Sequence, residues 1–80
     1  MGFFDSAKIF TTSAQIKQAL FQLDSLDEKQ REIVFKALVK ELDDRGVSEE
    51  ELKRVATELR NRGLISEIDK ENLLRLAAGR

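Results

Sequence analysis

Helix punctuation dominates this sequence: four apolar stripes each carry their own start signal, and two are followed by a glycine stop. Thr12 or Ser13 can cap the first, and Gln15 stands where it completes a capping box with Thr12. Ile16, Ala19, Leu20 and Leu23 follow at the 3-4 spacing of a narrow buried stripe, which should end near Asp24. Ser25-Leu26-Asp27-Glu28 opens a second helix running to Arg45. There Gly46 supplies the left-handed conformation that a β-carbon penalises. Ser48 caps a third helix whose first turn holds Glu49, Glu50 and Glu51, where free amides and the helix dipole favour negative charge. It ends at Arg62, with Gly63 as its stop. Ser66, or Asp69 further on, caps a fourth helix that reaches Ala78. The expected fold is all-α, a small four-helix orthogonal or antiparallel bundle with helices near 13–24, 27–45, 49–62 and 66–78. Residues 12–80 then form a single domain. Residues 1–11 form an N-terminal aromatic segment, flexible or packed on the first helix.

Such a bundle has to be held by its apolar faces alone. The 80 residues contain no Cys and no His, so disulfide staples, zinc sites of the usual kind and imidazole catalysis are excluded. There is also no Pro, Trp or Tyr. No apolar run approaches the roughly 20 residues of a membrane span, and no secretory signal is visible. The expectation is a cytoplasmic protein. Fourteen basic residues against fifteen acidic ones leave a net charge of −1, without the basic excess of a nucleic-acid binder.

The helical faces carry more information than the composition. Placed at 100° steps, Ile33, Val34, Phe35, Ala37, Leu38, Val39 and Leu42 cover about 240° of the second helix. An ordinary surface helix needs little more than about 100°. This helix is therefore either the centre of the bundle or part of a subunit contact. Glu41 falls inside that arc, where it reaches water at the helix end or meets a basic partner. The third helix has one narrow stripe, Leu52, Val55, Ala56 and Leu59. Its other side carries Glu50, Arg54, Glu58 and Arg62 at four-residue steps, a ladder suited to a solvated face. In the first helix Phe21 lies about 140° from the centre of the Ile16–Leu23 stripe, beside Lys17 and Gln18. Either the N-terminal segment folds back over it, or it anchors a partner, as aromatic residues do in interfaces.

Four functional patterns fail on particular residues. The acidic stretch around Gly46 resembles the exit of a calcium loop. With Glu51 at its last ligand position, however, Lys40 and Leu42 occupy ligand positions they cannot serve. Gly46-Val47-Ser48 resembles the turn of a DNA-binding helix-turn-helix, and Lys53, Arg54, Arg60 and Arg62 would be its phosphate contacts. Glu49, Glu50 and Glu51 would then enter the groove first, against phosphate repulsion. Met1-Gly2 with Ser6 fits a myristoylation pattern on two residues alone. Phe3, Phe4, Ile9 and Phe10 have only Lys8 beside them for an anionic membrane surface. Without a Gly-rich phosphate loop, the remaining carboxylates, lysines and hydroxyls offer no recognisable catalytic constellation.

The expected function is a non-catalytic protein–protein interaction module that self-associates as a homodimer or larger homo-oligomer, using Phe3, Phe4, Phe10 and Phe21. No cofactor, metal or small-molecule substrate is expected. The alternative is a small nucleic-acid-binding regulator using Lys53, Arg54, Arg60 and Arg62.

Overall fold

In a computed structural model, which describes residues 8–42 and 46–78, every helix opens with a reciprocal capping box. For α1 (Ser13–Phe21) the box joins Thr12 and Gln15. For α2 (Glu28–Glu41) it joins Asp27 and Gln30, and ahead of α3 (Glu49–Asn61) it joins Ser48 and Glu51. Ahead of α4 (Glu67–Ala78) the Ser66 hydroxyl accepts from the Asp69 amide at 3.1 Å, and the Asp69 carboxylate accepts from the Ser66 amide at 3.0 Å. The two residues that compete for this start in the sequence thus serve one cap together. A cap of this kind contributes about 1 kcal/mol. Four of them offset much of the cost of starting helices only about two and a half to four turns long.

The fold is all-α apart from one short ribbon. Residues 1–11 were expected to be flexible or packed on the first helix. Within them, Lys8–Phe10 forms a strand, β1, paired antiparallel with β2 (Val47–Ser48). Lys8 stands opposite Ser48 and Phe10 opposite Val47, with an irregularity between. Neither strand is long enough to show two-residue alternation. The ribbon is made by tertiary pairing between distant segments.

Two helices are shorter than their patterns suggest. α1 ends at Phe21 rather than Asp24, and Gln22 caps it by donating to Ala19 and Leu20. α2 ends at Glu41 rather than Arg45, with Leu42 extended at ψ 115°. Asp43 and Asp44 follow, two poor helix formers whose charge opposes the negative end of the dipole. Gly46 does adopt a positive φ, 90°, but it leads into β2 and does not close α2. Gly63, at φ 76°, is the stop it was expected to be. Its amide donates to Arg60 and the Leu64 amide donates to Leu59, both at 3.0 Å, so α3 ends in a complete Schellman turn.

The core joins all six elements. Ile9 and Phe10, Ile16 and Leu20, Val34 and Leu38, Val47, the α3 stripe of Leu52, Val55, Ala56 and Leu59, and Leu73 of α4 are buried together. α2 packs against both α1 and α3, and α3 against α4. Yet only Val34 and Leu38 of the wide α2 arc are fully buried, while Ile33, Phe35, Ala37 and Val39 are half-buried on its flanks. Glu41, inside the arc, meets Arg54 of α3 in an ion pair, within the chain and not across an interface.

Candidate protein-contact surface

The early end of α1 leaves Phe21 on its last turn, pointing away from the core. The residue is 72% exposed, as its angle on the helical wheel suggests. It borders an open groove of about 490 Å³ between α1 and α2, lined by Lys17, Leu20 and Phe21 on one side and Glu28, Arg31, Glu32 and Phe35 on the other. The α1 positions are spaced i, i+3, i+4 and the α2 positions i, i+3, i+4, i+7. Each wall is therefore one ridge of a helix. Leu20 is buried at the floor, and the half-buried Phe35 contributes a second aromatic ring.

Arg31 organises this groove, and sequence reasoning missed it. Its Nε donates to the Leu20 carbonyl at 3.2 Å, and an Nη donates to Leu26 at 3.1 Å and to Leu23 at 3.5 Å. These carbonyls belong to the last turn of α1 and the link to α2; Leu20 and Leu23 each already accept a turn amide, from Leu23 and Leu26, and Arg31 fills a second lone pair. The planar fork of a guanidinium can serve several such acceptors at once, which an ammonium cannot. The same guanidinium lies over the Phe21 ring, 5.4 Å from its centroid. The available signal was angular: Arg31 sits about 40° from Phe35 on the helix, inside the apolar arc between Leu38 and Leu42.

Phe10 does not join Phe21. Phe10 is 3% exposed and belongs to the core. It was expected to help bind a partner, but pairing with β2 turns it inward and leaves no surface to offer. Phe3 and Phe4 lie outside the described residues.

The four cations of the nucleic-acid alternative are spread along α3 and largely neutralised. Arg54 pairs with Glu41, Arg60 with Glu67 at 2.8 Å, and Arg62 with Glu58 at 3.5 Å. Only Lys53 has no carboxylate partner among the described residues. Val47 and Ser48, the centre of the supposed helix-turn-helix turn, form strand β2. The Glu49–Glu51 cluster occupies the first turn of α3.

Among the described residues, no cluster of carboxylates could hold a metal ion, and no helix is long and apolar enough to cross a membrane. A second open groove, of about 470 Å³, follows the other flank of α2 between Ile33 and Ala37 and the α3 residues Val55 and Leu59, with Lys36, Lys40 and Arg62 among its lining. No known protein family, curated protein or solved structure matches this chain.

Proposed function

We propose that this chain is a non-catalytic protein–protein interaction module that self-associates through the α1–α2 groove, with Phe21 as its anchor. One observation carries the reading: a large aromatic side chain is 72% exposed beside an open, partly apolar groove that already holds a second Phe. Aromatic anchors seated in pockets dominate contact energies. The magnitude bounds the affinity. Two Phe21 side chains, one from each copy, would bury apolar area worth on the order of 5–10 kcal/mol. Association costs of similar size oppose it. The Phe21 pair alone thus leaves little net free energy, so the contact is weak and concentration-dependent and other groove residues carry part of it.

Sedimentation equilibrium at micromolar concentration tests this on the full chain and on Phe21→Ser. The expected result is a monomer–dimer equilibrium for the parent and a monomer for the variant, with equal helical content by circular dichroism. A parent that stays monomeric at every concentration overturns self-association. A variant that still dimerises moves the contact elsewhere, with the α2–α3 flank as the next candidate.

A further inference from the structure

We infer that the second copy docks crosswise, the α1 wall of each groove lying against the α2 wall of the other, with Lys17 of each copy facing Glu28 and Glu32 of its partner. This inference rests on the self-association proposed above and adds its register. The two walls of the groove differ in sign. Within Ser13–Phe21 the only charged residue is Lys17, and it is exposed. The α2 wall presents Glu28 and Glu32, both exposed. Arg31 on the same wall offsets one of the two carboxylates and leaves that wall at −1 against +1 on α1; its own donors are taken up by the Leu20, Leu23 and Leu26 carbonyls and its face by the Phe21 ring. Lys36 touches Glu32 at 3.5 Å, but both side chains are mostly exposed, and such pairs within a helix are worth little and exchange readily with water.

A two-fold contact uses the same patch on both copies, so a residue that meets a second residue is met by it in return. Two arrangements keep the grooves face to face. In one, like walls meet, which sets Lys17 against Lys17 and the carboxylates against each other. In the other, unlike walls meet, which forms the Lys17 contacts twice and seats each Phe21 toward the Phe35 side of the partner. Charge complementarity across the patch selects the second, since opposed like charges weigh heavily against a register. The four helices α1 and α2 of the two copies then form an intermolecular four-helix contact.

A charge exchange tests the register on the full chain. Lys17→Glu and Glu32→Lys both change exposed positions, and circular dichroism confirms that each variant keeps the parent's helical content. Each alone should associate at least about tenfold more weakly than the parent, because each sets like charges across the contact. An equimolar mixture of the two should regain association to within about threefold of the parent. In the mixed pair the carboxylate introduced by Lys17→Glu meets the ammonium introduced by Glu32→Lys. On the other side of the two-fold the native contact between Lys17 and Glu32 is retained. If the parent dimerises and both variants dimerise equally well, or the mixture does not recover, the crosswise register is wrong although self-association stands. A monomeric parent removes the self-association reading and this register with it.

Discussion

The guanidinium of Arg31 and the ring of Phe21 face each other at 5.4 Å, although one belongs to the helix that the other helix turns into. The contact places a cation over the face of a ring, an attraction worth about 0.5–1 kcal/mol at an exposed site. The same Arg31 ties the end of α1 to the start of α2 through three carbonyls. Replacing it with lysine keeps the charge and most of the apolar stem but loses the fork. Arg31→Lys should cost about 1–3 kcal/mol, on the scale of hydrogen bonds to charged groups. In a domain of this size that lowers the melting temperature by roughly 6–18 °C. Thermal melts by circular dichroism measure it, and an unchanged melt would mean that the three carbonyls are equally well served by water.

Two phenylalanines should respond oppositely to truncation. Phe10 is 3% exposed and Phe21 72%. Phe10→Ala removes a core ring and should cost about 3–5 kcal/mol, a large part of the total stability of a small domain. Phe21→Ser should change monomer stability by no more than about 1 kcal/mol. Urea unfolding at submicromolar concentration separates the two. Equal losses would show that Phe21 is held as firmly as the core.

Gly63 has open space where a β-carbon would go, yet its φ is 76°. Steric crowding is therefore not the cost of a side chain there, and backbone conformation is. Gly63→Ala should destabilise by about 1–2 kcal/mol, the left-handed penalty for an L-residue. The urea midpoint should fall at constant slope. A midpoint equal to the parent's would mean that the Schellman turn relaxes without penalty.

Binding to random duplex DNA at physiological salt should be weaker than about 10 µM, because three of the four α3 cations are paired with carboxylates and Glu49, Glu50 and Glu51 hold the first turn of that helix. Fluorescence anisotropy on a labelled duplex checks it. Sub-micromolar binding that strengthens as salt falls, and that vanishes in the Lys53→Ala, Arg60→Ala double variant, would reinstate the nucleic-acid reading.

The parts of this fold that were legible in the sequence are those with local causes. Thr12, Ser48 and Ser66 act within four residues of themselves, and Gly63 within one turn, so their roles follow from spacing alone. Phe21 was legible for the same reason, since helical geometry fixes its angle against Ile16 and Leu20. What escaped depends on contacts across the chain. Phe10 is buried because residues near position 47 pair with it, and nothing in residues 1–11 encodes that partner. Arg31 reaches a carbonyl 11 residues away, a reach that belongs to one rotamer of a long side chain. Gly46 was read as a local stop when its positive φ introduces a strand.

The ribbon between Lys8–Phe10 and Val47–Ser48 also orders events while the chain is being made. Synthesis proceeds from the N-terminus, so β1 leaves the ribosome before its partner does. α1 and α2 can form as they emerge, because their contacts are local. Phe10 cannot be covered by its strand partner until Val47 and Ser48 follow, past the midpoint of the 80-residue chain. Until then an aromatic residue destined for the core stays open to solvent, so the nascent chain is most in need of protection from aggregation just before α3 appears.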